Sequence, residues 1–400
     1  MADTVPGPRS RWAVLAAFAV VGAVTQLLWL TYAPVTTVAA HHYGVSEAAI
    51  GWLANVFPLW YVVLAIPTGL ALDRWLRPTL ALGAILTALG ACVRLAGDDF
   101  GTALAGQTLV ALAQPLVVTA TSAVPARYLR PEDRPKGIAA ASASTFAGMI
   151  AAFLLGTVVS LHTALVVGAV AAVLAAGVLL VALRARPGFL PELAPAGLRD
   201  FRDAWRNPVV RRMCLLVPIP FGTFTALTTW GQPLLEPAGV SADQAGLLLL
   251  LNVTAGVVGC AVVPVWAAAR SRQRQAVLAG VLVTVVGCLL LGFAPGLGTG
   301  LVSFVVIGVL LLPALPIVLE ISERASGPAA GIAAGLVWLA GQLGALVVTG
   351  VAGTLVHAPL GAFLLLAAIT LLALPALPRP DALASRTSTS RPASSATSSP

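Results

Sequence analysis

The chain alternates long apolar stretches with short polar gaps, and the stretches are long enough to cross a bilayer. A spanning helix needs roughly 20 mostly apolar residues. About twelve segments meet that length: 12–37, 51–72, 79–97, 101–124, 137–160, 163–183, 213–235, 245–269, 276–294, 300–321, 329–353 and 360–377. They predict an all-α membrane protein of twelve helices. The longest polar interval, 184–212, is rich in Arg and Pro and divides the spans into 12–183 and 213–377, six on each side. Within it, Leu198 to Trp205 is expected to form a short amphipathic helix at the membrane surface. Residues 1–11 read as a short N-terminal segment. Residues 378–400, dominated by Ser, Thr, Pro and Ala, read as a disordered tail.

The two sets of spans look like repeats. Gly137-Ile-Ala-Ala opens the fifth span, and Gly331-Ile-Ala-Ala opens the eleventh, 194 positions later. Each follows a charged loop, containing Glu132–Arg134 and Glu323–Arg324 respectively. Asp73-Arg74 after the second span is matched in position by Arg270-Ser-Arg272 after the eighth. Two parallel six-helix halves joined by a linker resemble the major facilitator superfamily. The segment Gly69-Leu-Ala-Leu-Asp73-Arg74-Trp-Leu-Arg77 resembles that superfamily's signature between helices two and three, with Leu76 where a Gly is usual.

Composition agrees with a membrane chain. Hydrophobic residues make up 58% and charged residues 10%, too few charges to solvate a soluble domain of 400 residues. The net charge of +8 would suggest nucleic acid in a soluble protein. Its placement says otherwise. Arg74 and Arg77 fill one gap, Arg127, Arg130, Arg134 and Lys136 a second, Arg184 to Arg212 a third, and Arg270, Arg272 and Arg274 a fourth. The intervening gaps hold His41, His42, Glu47, Asp98, Asp99, His162, Glu236, Asp243 and His357. Only Arg94 breaks the segregation. This is the positive-inside pattern and predicts both termini in the cytoplasm of a multi-pass plasma (inner) membrane protein. Arg9 and Arg11 precede the first apolar run without a small-residue cleavage site, so that run is read as a retained helix. Cys92, Cys214, Cys260 and Cys288 show no metal-ligand spacing and read as packing residues. No cofactor or metal is expected, and the bilayer and a small solute are the expected partners of a monomer.

Asp73 is a lone acid among arginines at one mouth of the bundle. It could latch the halves together through a helix end or an Arg, in one access state and not the other. Gly69, Asp73, Arg74 and Arg77 are therefore candidate conformational residues, as are Glu320, Glu323 and Arg324 at the end of the tenth span. No Asp or Glu falls in the middle of a span, which argues against proton coupling. Glu320 is the nearest, and an ion pair with Arg324 four residues on is its simplest explanation.

The polar and aromatic side chains within spans are uncharged. Gln26, Trp29 and Tyr32 share a face of the first helix, and Gln107 and Gln114 share one of the fourth. Asn55, Trp60 and Tyr61 mark the second, Phe224, Thr225, Thr228, Trp230 and Gln232 the seventh, Trp338 and Gln342 the eleventh. Polar groups in lipid are costly unless they face a partner or a cavity. Gln107, nearer an outer end, is better explained by interhelical hydrogen bonding. Trp12, Trp52 and Trp60 suit interfacial belts. Gly148, Gly156, Gly341 and Gly344 suit close helix approach.

The run Trp29-Leu-Thr-Tyr32, Tyr43-Gly-Val45 and Ile50-Gly-Trp52-Leu53 resembles the feline leukaemia virus subgroup C receptor family. Leu89-Gly-Ala-Cys-Val-Arg94-Leu, Gly106-Gln107 and Ala113-Gln114 extend the likeness, and Gln232, Pro313, Glu320, Glu323, Gly335 and Gln342 follow in similar order. The resemblance implies transport of choline or ethanolamine, with heme an alternative. It implies that Trp29 and Phe224 flank a quaternary ammonium, with Gln114 and Gln342 nearby, and that Tyr32 joins the substrate-binding set. Phe224 stands where a Tyr is usual. The function expected is therefore alternating-access transport of a small organic solute. An exporter of heme or hydrophobic compounds is the alternative, and a non-transporting receptor a more remote one. An enzyme would need a nucleophile, acid–base pair or metal cluster at depth, and the spans offer none.

Overall fold

A helix of 47 residues, Glu47–Val93, is more than twice the length a bilayer can hold. At 1.5 Å per residue it runs about 70 Å against a hydrocarbon core of about 30 Å. It is two spans. The backbone leaves helical geometry at Trp75 (φ −132°, ψ 51°), and the polar stretch around Asp73, Arg74 and Arg77 sits at that kink. The expected spans 51–72 and 79–97 are thus present, but as one bent element rather than two separated helices.

The computed structural model describes residues 10–189, 198–326 and 330–378, and among these there is no strand. The helices are α1 (Trp12–Leu30), α2 (Thr36–Tyr43), α3 (Glu47–Val93), α4 (Phe100–Val118), α5 (Ala123–Tyr128), α6 (Arg134–Val158) and α7 (Leu161–Ala182) in the first half. After the linker come α8 (Leu198–Arg206), α9 (Pro208–Leu216), α10 (Pro218–Leu235), α11 (Ala242–Ala269), α12 (Gln273–Phe293), α13 (Leu297–Leu311), α14 (Ala314–Ser326), α15 (Ala330–Gly353) and α16 (Pro359–Leu371). Eleven described helical runs are long and apolar enough to span, and α3, one of the eleven, holds two spans, which makes twelve. The short helix expected over 198–205 is α8. The tail expected to be disordered lies outside the described residues from 379 on.

Spans one, four, seven and ten are interrupted. The first stops at Leu30, passes a 3-10 turn at Ala33–Val35 and resumes as α2. The fourth tightens to 3-10 at Thr119–Thr121, the seventh breaks between α9 and α10, and the tenth between α13 and α14. Pro34, Pro218 and Pro313 sit at three of these breaks, where each removes a backbone donor. Pro218 and Pro313 are among the span prolines that can kink a helix, but an apolar run does not show which of them interrupts it, because a break costs only one or two backbone hydrogen bonds.

Helices approach closely where glycine removes the side chain. A Cβ at Gly148 on α6 would overlap the Ala23 carbonyl on α1, and one at Gly344 on α15 would overlap the Pro218 carbonyl on α10. These pairs occupy matching places in the two halves, as the repeat predicts. Val170, Val173, Leu174, Val178 and Val181 on α7 present a bare apolar stripe, the surface that lipid requires.

The arginine clusters gather at one end of the bundle, hereafter the arginine end. There Arg127 donates to the carbonyls of Leu72 and Asp73 (2.9 and 2.8 Å), and Arg77 to that of Leu183 (2.6 Å). Arg212 donates to the carbonyls of Pro375, Ala376 and Leu377. All of these bonds stay within one half.

Candidate functional site

The halves meet at the end opposite the arginines. The Gln232 carboxamide on α10 accepts from the Thr37 backbone N–H at 3.0 Å and donates to the Thr37 hydroxyl at 2.7 Å. Two steps back along α10, Trp230 is fully buried and donates to the Thr349 carbonyl at 2.8 Å. Its ring lies directly on Gly51 of α3, where a Cβ would overlap three ring atoms. Gly246 on α11 faces Thr157 on α6 and Pro34. At the arginine end the same helices leave space. A Cβ at Gly69 on α3, or at Gly331 or Gly335 on α15, would meet nothing within 4 Å. The contacts that join the halves, Thr37 with Gln232, Gly51 with Trp230 and Gly246 with Thr157, gather at the end opposite the arginines, hereafter the sealed end.

Between those ends lie the ligand candidates. Trp29, near the end of α1, and Phe224, on α10, belong to one contiguous apolar cluster that draws on both halves. The Trp29 indole N–H donates to the Ala54 carbonyl at 3.0 Å, and its ring lies 6.0 Å from that of Phe57 at an interplanar angle of 33°. That bond fixes the indole and leaves its π-face as the available chemistry. Gln114 and Gln342 are buried, and the Oε1 of each lacks a hydrogen-bond partner. A buried acceptor without a donor costs about 1–3 kcal/mol, which a ligand donor would offset. Tyr32 is placed elsewhere. It packs in a separate cluster with Val35, Ala39, Ile50 and Leu53, 6.4 Å from the Tyr43 ring, inside the first half.

The expected conformational residues all lie at the arginine end. Asp73 is partly buried, its backbone carbonyl is taken by Arg127, and its carboxylate has no partner among the described residues. Arg74 is exposed. Glu320 pairs with Arg324 along α14, while Glu323 is exposed one turn on. Gln107 makes interhelical hydrogen bonds to the carbonyls of Leu28 and Trp29, as expected of it. Trp12 and Trp52 are exposed, as belt residues should be. His41, His42, His162 and His357 all lie at the sealed end, and His42 bonds Asp98 at 2.7 Å. None of the four is placed in the interior to ligate an iron.

Sequence reasoning missed Trp230 as a seal and Asn55 and Thr349 as buried groups without partners. Trp230 had a signal, since a Trp in mid-span beside Gln232 is unusual. Its packing on Gly51, 179 positions earlier, has none in one sequence.

A two-half helical bundle with interrupted central helices, closed at one end, is a membrane transporter of the alternating-access kind. The Major Facilitator Superfamily model matches residues 14–349, and the chain belongs to that superfamily. The choline/ethanolamine transporter FLVCR1 of Felis catus is 27% identical over 369 residues, which cover 83% of this chain and 65% of the cat protein. The chain therefore spans just under two thirds of that relative's length. The human choline/ethanolamine transporter FLVCR2 is 24% identical over 380 residues, covering 85% and 71%. The resemblance read from Trp29 to Gln342 is to this group. A bacterial homologue of the human lysosomal transporter Spinster, solved inward-facing and unoccupied, superposes with a TM-score of 0.72 at 16% identity, over 91% of this chain and 95% of that one. That likeness is one of fold.

Proposed function

We propose that this transporter carries a small amine cation of the choline or ethanolamine type through an aromatic site formed by Trp29 and Phe224. What supports the reading is that Trp29 and Phe224, one from each half, are both buried in the apolar cluster that joins the halves, and that Gln114 and Gln342 are buried with Oε1 atoms that lack a partner. A quaternary ammonium cannot donate a hydrogen bond, so a π-face is its natural partner, worth about 2 kcal/mol or more when desolvated. The hydroxyl of such an amine can donate, and the glutamine oxygens are acceptors in want of a donor. Phe224 supplies a face without a hydroxyl, so the glutamines carry the polar end of the ligand. Tyr32 packs in a separate cluster of the first half, apart from Trp29 and Phe224.

The arginine end is cytoplasmic by the positive-inside rule, which makes the described state inward-open and puts residues 1–11, the linker 184–212 and the tail 378–400 in the cytoplasm. Residues 12–183 and 213–377 are then the two rocking halves, working as a monomer in the plasma membrane. Asp73 is the latch that engages when the arginine end closes. Its unpartnered carboxylate fits a released latch, and Gly69, Arg74 and Arg77 shape that loop. Glu320, Glu323 and Arg324 form the facing mouth. With Glu320 held by Arg324 and no acid at mid-depth, transport proceeds without proton coupling.

The test is equilibrium binding of radiolabelled choline to the purified protein, wild type against Trp29→Ala and Trp29→Phe. Saturable binding lost in the alanine variant and partly kept in the phenylalanine variant is expected. Binding unaffected by Trp29→Ala would refute the aromatic site.

A further inference from the structure

Arg94 is the one base outside the alternation of charge, and it is among the largest fully buried side chains of the protein. Its guanidinium lies within the first half at the sealed end. Nη1 donates to Gln107 Oε1 at 3.0 Å and to the Leu28 carbonyl at 3.4 Å. Nε and Nη2 make no hydrogen bond of good geometry, the Tyr32 hydroxyl is the polar side-chain group beside them, and no carboxylate pairs with the guanidinium among the described residues. Room for it is built in. A Cβ at Gly106 would fall 2.5 Å from Arg94 Cγ, and one at Gly168 would fall 3.7 Å from Nη2. An unpaired buried cation is expensive anywhere and more so at membrane depth.

What it holds is the broken end of α1. The last carbonyls of a helix have no partner within it. Here the Thr31 hydroxyl donates to the Leu27 carbonyl, Arg94 and Gln107 to that of Leu28, and Gln107 again to that of Trp29 at 3.3 Å. A cation at this place also meets the negative end of the helix dipole, which stands in for the missing carboxylate. The segment beyond carries Pro34, packed on Gly156, and Thr37, bonded to Gln232 across the halves. Trp29 and Thr37 therefore leave opposite ends of one clamped break.

We propose that Arg94 and Gln107 are positioning residues for transport: they fix the interruption of the first span so that Trp29 faces the ligand while Thr37 meets the opposite half. The clamp does not depend on the ligand's identity. Its effect on binding rests on the aromatic site proposed above.

The test uses the full chain in lipid nanodiscs with Arg94→Lys and Gln107→Glu, read by hydrogen exchange and by choline binding. Lys keeps the charge but loses the planar fork. The carboxylate introduced by Gln107→Glu can pair with the guanidinium and preserve the fold, yet cannot donate to Leu28 or Trp29. Both variants should exchange the backbone amides of residues 30–36 about tenfold faster, and bind choline about tenfold more weakly with an unchanged number of sites. A merely structural role would instead reduce the number of sites, leaving affinity and exchange of the folded fraction as in the wild type. That result would overturn the proposal. Should Arg94→Lys not fold, Gln107→Glu decides alone. Should the wild type bind no choline, that reading falls and the exchange measurement decides the clamp by itself.

Discussion

Replacing Gly51 by alanine should open the sealed end. The added Cβ would overlap Trp230 at Cη2, Cζ2 and Cζ3, all closer than the ordinary carbon–carbon contact of about 3.5–4.0 Å. Trp230 cannot simply turn aside, because its indole N–H is committed to the Thr349 carbonyl at 2.8 Å. Overpacking of this kind costs about 1–3 kcal/mol. Gly51 and Trp230 lie on opposite halves, so the cost falls on the sealed state and is relieved when the halves part. A bias of that size moves the equilibrium about 5- to 150-fold toward the state open at this end. Gly353 supplies the control. A Cβ there would lie 2.5 Å from Trp230 Cζ2, but both residues belong to the second half, so the strain is present in both states. Gly353→Ala should lower thermal stability without shifting the equilibrium. The assay is the distance distribution between spin labels at His162 and Leu297, exposed at the sealed end on opposite halves, with the four native cysteines replaced. A longer-distance population should grow in Gly51→Ala only. Identical distributions in the two variants would refute the placement of the seal.

Three further outcomes are expected. Gly148→Leu should prevent folding, because α6 could no longer touch α1 at Ala23, whereas Gly177→Leu, with open space around it, should leave expression and melting temperature unchanged. Glu320→Gln should keep uptake near the wild-type level and cost about 0.2–0.5 kcal/mol of stability through loss of the Arg324 pair; abolished uptake would restore a coupling role. Asp99 caps α4, accepting from the Thr102 hydroxyl and, at 3.0 Å, from its N–H, and these bonds hold its carboxyl below the usual range. A depressed value means that the capping is fully present above the ordinary carboxylate pKa of about 3.9 and is lost as pH falls through the folded value. Amide exchange at the start of α4 should therefore speed up at low pH in the wild type and be insensitive to pH in Asp99→Ala, after correction for intrinsic rates.

Spans and halves were legible because lipid imposes length and hydropathy on every crossing, and because the linker carries the one long polar interval. The repeat was legible too, and Gly148 and Gly344 show why. Two equivalent helix pairs need glycine at the same point of contact. The interruptions of spans one, four, seven and ten were legible only as prolines able to kink spans four, seven and ten. Pro58 and Pro67 inside α3 and Pro264 inside α11 are tolerated without a break, so Pro34, Pro218 and Pro313 carry no distinguishing mark. Of the proposed site, Trp29, Gln114, Phe224 and Gln342 could be picked out as polar or aromatic groups in apolar runs. Tyr32 could be picked out equally well, yet the break after Leu30 turns it away from Trp29, toward the interior of the first half. Helical periodicity fails at that residue because the helix has ended. Arg94 stood out as an exception to the charge pattern, but its meaning needed the Leu28 and Trp29 carbonyls.

The central claim is transport of a choline-like amine through the Trp29–Phe224 site, and its most direct test is uptake of radiolabelled choline into proteoliposomes. Saturable uptake above protein-free liposomes, insensitive to a protonophore and lost in Trp29→Ala, is the predicted result. Uptake no greater than in protein-free liposomes, from protein that is folded and reconstituted, would contradict it.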